Sequence, residues 1–156
     1  MLLYRIAPRI HANSMTGAGS EKYGGRWNLK GTPVLYTTNA LSLSALEALV
    51  HARDSVGPIS RSVITYSLPD DVSMFTPDPT TLPSEWDAIP TTDGGPSSQF
   101  GQQWINRGTE LLLVVPSVVM KNATERSVIV NVRHPDFHKL QILRIEPFTF
   151  DPRLMT

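Results

Sequence analysis

Three short stretches, Gly24-Gly25-Arg26-Trp27-Asn28, Leu35-Tyr36-Thr37-Thr38 and Ala45-Leu46-Glu47-Ala48-Leu49, follow one another closely in the chain. They bring an arginine, a tyrosine and a glutamate into one neighbourhood of sequence. The glycine pair lets the backbone approach a ligand closely. The arginine offers a planar fork of donors suited to phosphate. The tyrosine offers a ring face that stacks on a cationic ring, and a hydroxyl. The glutamate supplies one negative charge. Together they suit a ligand with phosphates, a ribose and a flat cationic ring, and nicotinamide dinucleotide has those parts.

These residues need elements to hold them. Leu2–Ile6 reads as a first strand, Ala7–Tyr23 as an irregular polar segment and Gly24–Gly31 as a loop. Pro33–Thr38 is apolar and β-prone, between Gly31 and Asn39, and reads as a strand carrying Tyr36. In Ser42–Ala52, Leu43, Leu46, Leu49 and Val50 recur at helical spacing, which predicts a helix carrying Glu47. Asn39 or Ser42 supplies its cap. Ser62–Leu68 alternates as a half-buried strand does. Asp70–Gly101 contains Pro77, Pro79, Pro83, Pro90 and Pro96 and is read as a long loop pinned by Trp86 and Trp104. Phe100–Arg107 reads as a short helix. Glu110–Val115, Val128–Asn131 and Leu140–Ile145 read as strands, and Phe148–Phe150 as a last edge strand. The sum is an α+β domain around a mixed or antiparallel sheet with few helices.

The bulk numbers narrow the chemistry. A chain of 156 residues is expected to form one domain, 1–156, with a core of its own. It has no cysteine, which excludes disulfides, thiolate metal sites and cysteine nucleophiles. Its net charge is zero, with 18 % charged residues, so it lacks the basic excess of a nucleic-acid footprint. No stretch approaches the roughly 20 apolar residues of a membrane span. Met1-Leu2-Leu3-Tyr4-Arg5 has neither a basic n-region nor a long apolar core. The expectation is a cytoplasmic protein that touches neither membrane nor nucleic acid directly. His134 and His138 have a ligand-like interval, but Pro135 between them breaks a shared helix face and no H-E-x-x-H is present, so no metal site is expected. Gly17-Ala18-Gly19 lacks a third glycine and a β-α-β setting, so it is not a dinucleotide fingerprint.

The chain resembles the RES domain family, the toxin half of RES–Xre toxin–antitoxin pairs. The resemblance runs nearly end to end. It lies in Tyr4-Arg5, Gly24-Gly25-Arg26-Trp27-Asn28, Gly31-Thr32-Pro33, Leu35-Tyr36-Thr37, Ala45-Leu46-Glu47, Val115-Pro116-Ser117, His134-Pro135-Asp136-Phe137 and Phe150-Asp151-Pro152-Arg153-Leu154. The Arg, Glu and Ser of the family name match Arg26 (or Arg5), Glu47 and Ser117. In the family an Asn-Pro pair often precedes the His-Pro-Asp-Phe run; here Asn131 is followed by Val132 and Arg133.

The resemblance implies an ADP-ribosyltransferase-like fold of the diphtheria-toxin type. It implies NAD⁺ as a substrate cleaved at its nicotinamide–ribose bond, by phosphorolysis or hydrolysis. No resident cofactor is implied, although inorganic phosphate can be a co-substrate. The implied partner is a helix-turn-helix antitoxin of the Xre type that blocks the cleft, with a homodimer within that complex. Arg26, Tyr36 and Glu47 then become the catalytic candidates. Arg5, Tyr4, Gly25, Asn28, Ser117 and Asn131 become the substrate-binding ones.

The residue chemistry agrees with that implication. Nicotinamide leaves NAD⁺ as a neutral molecule without being protonated, so neither a general acid nor a metal is required. Positive charge grows on the ribose, and a carboxylate beside it is stabilising. Glu47 supplies the carboxylate, and Arg26 binds pyrophosphate or an incoming phosphate. Ser117 holds the ribose or orients Glu47. Each residue also has a structural reading: a solvent-facing helix glutamate, a turn arginine in a surface ion pair, a core tyrosine, a turn serine. Two other functions share the same residues. One is a protein ADP-ribosyltransferase, which differs only in the acceptor; the other is a non-catalytic nucleotide-binding module.

Overall fold

The computed structural model describes residues 1–52, 59–89 and 93–155. Seven strands form one sheet: β1 (Leu2–Pro8), β2 (Leu35–Thr38), β3 (Arg61–Ser67), β4 (Met74–Phe75), β5 (Leu112–Pro116), β6 (Arg126–Val130) and β7 (Gln141–Phe148). Their order is β4-β5-β6-β2-β1-β3-β7. Every pairing is antiparallel except β4 with β5, so the sheet is mixed. Among the described residues three α-helices accompany it: α1 (Ala18–Tyr23), α2 (Leu41–Ala52) and α3 (Pro96–Arg107). The α+β architecture is as expected.

The feature that matters for the site lies in the middle of the sheet. β2 pairs with β6 along its whole length, from Leu35↔Val130 to Thr38↔Ser127. β1 pairs with β3 over all seven of its residues. Between β1 and β2 there is one pair, Tyr4↔Thr38. Beyond it the two strands part, and a hollow opens between the β4-β5-β6-β2 half and the β1-β3-β7 half.

Two apolar clusters hold the halves. Leu3, Ala7, Ile64 and Tyr66 of β1 and β3 join Leu35, Val128 and Val130 of β2 and β6 in one cluster. Strand alternation puts Val34, Leu113, Val115 and Ile129 in the other, under Trp27, Leu82, Trp104 and Ile105. α3 is pressed against the Trp27 loop: a Cβ at Gly101 would lie 2.6 Å from the Trp27 carbonyl carbon. Glycine is therefore required there by close approach. Trp104 is fully buried, and Trp86 stacks on Trp27 with ring centroids 6.1 Å apart, so both tryptophans pin their segments.

Several elements depart from the sequence expectation. α1 interrupts the segment read as irregular; it is one short helix bounded by Gly17 and Gly24, both at φ 70°. It has no apolar stripe to betray it. α3 begins at Pro96, four residues before the expected start, with proline in its first turn and Gly108 at its C-cap. β3 is buried at all five central positions, because both its faces are covered. The Asn39 side chain accepts the Arg126 N–H at 2.8 Å and so extends the β2–β6 ladder instead of capping α2. β7 runs on to Phe148 and is itself the sheet edge, with the Phe150 ring set edge-on against Phe148. The long loop also contains β4 and a 3-10 turn, Pro79–Thr81; its residues 90–92, which include Pro90, lie outside the described residues.

Candidate active site

Glu47 lies on α2 one turn beyond Ser44. The Ser44 hydroxyl is hydrogen-bonded with that of Thr38 on β2 and donates to the Tyr4 carbonyl of β1. These bonds dock the helix across the point where the two strands part. Glu47 is half-buried, and its Oε1 accepts a hydrogen bond from the Ser117 hydroxyl at 2.7 Å. Ser117 directly follows β5, is 1 % exposed, and also accepts the Val119 N–H at 3.1 Å. Its donor is committed to Glu47, so it fixes one carboxylate oxygen and leaves the other for a ligand.

Arg26 comes from the loop between α1 and β2. Its Nη1 donates to the carbonyls of Trp86, at 2.7 Å, and Ala88, at 3.0 Å. No described residue accepts from its Nη2 or Nε. Burial lowers the guanidinium pKa, and the negative charges of Glu47 and then Asp87 oppose that shift. Arg26 therefore sits within electrostatic reach of the Glu47 carboxylate and remains a cation.

The loop that carries Arg26 is built on Tyr36. The Tyr36 hydroxyl accepts the Trp27 N–H at 2.9 Å and donates to Asn28 Oδ1 at 2.7 Å. Asn28 Nδ2 donates to the carbonyls of Ser20, Leu29 and Thr32, and Asn28 is fully buried. A Cβ on Gly25 would lie 2.5 Å from the Tyr36 hydroxyl. Gly25 thus serves the approach of its own tyrosine, where the sequence suggested the approach of a ligand. Asn28, expected at the ligand, braces the loop instead. Tyr36 has both hydroxyl roles occupied and only its ring left for stacking.

The hollow between the parted strands has a volume of about 380 Å³, and Arg5, His11, Lys22, Tyr23 and Tyr36 are among its lining residues. That is within the range of small-molecule clefts. Arg5 shares the β1 face of Leu3 and Ala7, whereas Tyr4 points to the opposite face. Arg5 donates to the Ser14 carbonyl at 3.1 Å. Tyr36 therefore joins two sets: Arg5 and the hollow on one side of β2, Arg26, Glu47 and Ser117 on the other. Asn131 belongs to neither. It follows β6 at the end opposite Ser117, is buried, and uses its Oδ1 to accept the Arg133 N–H in a turn. The His134 ring likewise accepts the Asp136 N–H. Among the described residues no group of three His, Asp or Glu side chains could hold a metal ion.

A family model described as "RES domain" matches residues 2–151. The chain belongs to the RES domain family. A relative from a Sphingobium species, named "Prs ADP-ribosylating toxin", is 34 % identical over 96 % of this chain and 91 % of its own length. One from Yersinia enterocolitica, named "Toxin Res", is 36 % identical over 99 % of both chains. The RES fold is also seen in the crystal structure of the M. tuberculosis MbcT–MbcA toxin–antitoxin complex. A chain there superposes with a TM-score of 0.76 at 17 % identity, covering 95 % of this chain and 84 % of that one.

Sequence reasoning missed three contributors to the candidate site. The carbonyls of Trp86 and Ala88 hold Arg26 from 60 and 62 residues away, and backbone acceptors carry no side-chain signal. Lys22, which lines the hollow, lies only four residues before Arg26, but a lysine in a polar run does not distinguish itself.

Proposed function

We propose that this RES-family chain is the toxin of a toxin–antitoxin pair and cleaves the nicotinamide–ribose bond of NAD⁺. The observation that carries the reading is Glu47: a half-buried carboxylate, held at one oxygen by Ser117 and within electrostatic reach of Arg26. The names of the two relatives support the toxin assignment.

In this reading NAD⁺ spans the parting of β1 and β2. The hollow with Arg5 and Lys22 takes one end, and Arg26 offers Nη2 and Nε to a phosphate. The Tyr36 ring packs against the nicotinamide. The ribose–nitrogen bond breaks with its electron pair on the ring nitrogen, and nicotinamide leaves neutral. The free oxygen of Glu47 stabilises the oxocarbenium-like ribose. An oxygen of inorganic phosphate or water then bonds to the anomeric carbon, and water's proton is released to solvent. The chemistry needs no metal or resident cofactor, because the leaving group carries its own positive charge. The unit acts as one domain in the cytoplasm, and among the described residues no helix is long and apolar enough to cross a membrane. A helix-turn-helix antitoxin of the Xre type covers the cleft, in a complex that contains two toxin copies.

Proton and phosphorus NMR of NAD⁺ with purified protein, with and without inorganic phosphate, tests the reaction. Nicotinamide release that requires phosphate, with a new phosphorylated ADP-ribose, identifies a phosphorylase; release without phosphate identifies a hydrolase. The name of the Sphingobium relative favours a second reading, transfer of ADP-ribose to a protein. Labelled NAD⁺ that marks a cellular protein would establish it. Tight NAD⁺ binding with neither release nor transfer would leave a binding module and refute both.

A further inference from the structure

Residues 83–89 touch three parts of the fold at once. The Trp86 carbonyl accepts from Arg26 Nη1 and from Ser97 Oγ of α3, and the Trp86 ring stacks on Trp27. The Ala88 carbonyl accepts from the same arginine nitrogen. Between these two residues, Asp87 pairs with Lys121 Nζ at 2.5 Å. Lys121 lies four residues past Ser117, on the strap that leaves β5. An unbroken chain of contacts therefore runs from Arg26 through residues 86–88, Asp87, Lys121 and the strap to Ser117 and Glu47. Its two ends are the cation and the anion of the site.

We propose that Asp87 and Lys121 are positioning residues, a latch that sets the separation of Arg26 and Glu47. The proposal rests on the reading of those two residues as the reacting pair. Electrostatics agree with the geometry. The hydrogen bond from Lys121, and more weakly the charge of Arg26, hold the Asp87 carboxyl below the usual carboxylate range, so it is ionised at neutral pH. The side chains of Asp87 and Lys121 are 35 % and 49 % exposed. Surface pairs of this kind contribute little to global stability. The latch can therefore be removed without unfolding the chain, which separates positioning from structure.

The test uses the full chain with Asp87→Asn, Lys121→Met, the double variant and Lys121→Arg, each read for NAD⁺ cleavage and melting temperature. Small displacements of a catalytic group weigh heavily on turnover. We expect each single change to lower kcat about tenfold with KM within about twofold. The double variant matches the singles because both break one contact, and Lys121→Arg restores most of the rate. Melting temperatures stay within about 2 °C. Unchanged kcat in Lys121→Met, or losses that multiply in the double variant, overturns the latch. A second readout does not depend on activity: the Arg26 Nε–H resonance, assigned by its loss in Arg26→Lys. It moves in Lys121→Met and returns in Lys121→Arg if the latch exists. If the wild type fails to cleave NAD⁺ while this resonance moves, the latch stands and the reaction reading falls. If it does not move, the latch falls.

Discussion

Glutamine at position 47 removes one negative charge and almost no volume. Its Oε1 can still accept the Ser117 hydroxyl at the 2.7 Å seen for glutamate, so the helix face and the strap keep their contact. What is lost is the field at the ribose. A unit charge about 4 Å from a developing cation, at an effective dielectric of about 20, is worth about 4 kcal/mol. Glu47 is only half-buried, which screens that figure. Removal of one preorganised electrostatic group typically costs about 2.7–4 kcal/mol, or 100- to 1,000-fold in kcat. We therefore expect Glu47→Gln to slow nicotinamide release by about 100- to 1,000-fold, with KM within about threefold. Arg26 loses a neighbouring anion but stays a cation. The assay is NMR or chromatographic quantification of nicotinamide, alongside thermal melting to show that the variant is folded. A folded Glu47→Gln protein that releases nicotinamide within about tenfold of the wild-type rate would refute the reasoning, because the negative charge would then not be stabilising the transition state.

Ser117→Ala removes a hydrogen bond to a charged acceptor, an interaction worth about 1.5–3 kcal/mol. Expressed in turnover, that is a loss of about 10- to 100-fold in nicotinamide release, smaller than the Glu47→Gln loss because the charge remains. Tyr36→Phe leaves the Trp27 N–H and Asn28 Oδ1 without their shared partner. At about 1–3 kcal/mol for each of the two unsatisfied groups and about 2–4 °C per kcal/mol in a chain of this size, melting falls by roughly 4–24 °C, measured by calorimetry. Turnover falls with it, because the Arg26 loop loses its brace. Burial raises the pKa of Tyr36, and burial outweighs the nearby Arg5 charge to raise that of Tyr66 as well. A folded-state value above the unfolded one means stability is intact below pH 10 and is lost as pH rises beyond it, because only the unfolded chain releases these protons. Ultraviolet titration should therefore show two tyrosines ionising only as the fold is lost; their titration in the folded state would contradict the burial.

The elements that carry Tyr36 and Glu47 were legible because each obeys a local rule. Leu43, Leu46, Leu49 and Val50 mark an amphipathic helix, and Pro33–Thr38 is a bounded β-prone run. The helix found over Leu41–Ala52 and the strand over Leu35–Thr38 differ from those readings only at their ends. α1 was not legible because its six residues bury no side chain, so no periodicity exists to read. The start of α3 was hidden by Pro96-Ser97-Ser98, residue types shared by turns and first helical turns. Proline in that first turn and Gly108 beyond the last are the signals that separate the two cases.

The site divides along the same line. Residue types announced Arg26 and Glu47, but not that Asn28 and Gly25 serve the Tyr36 hydroxyl. That distinction depends on which atoms approach at 2.5–2.9 Å. Strand alternation sends Tyr4 and Arg5 to opposite faces; from the sequence one could foresee their separation, but not which of them meets the cleft. The answer comes from a single register fact, that β1 and β2 share only Tyr4↔Thr38 before they part. One more pair would zip Arg5 against β2 and close the hollow. One fewer would free the β2 end on which Thr38 and Ser44 seat α2, and with it Glu47. The hollow and the seat of Glu47 thus both depend on where one ladder stops, a long-range property that no local pattern encodes.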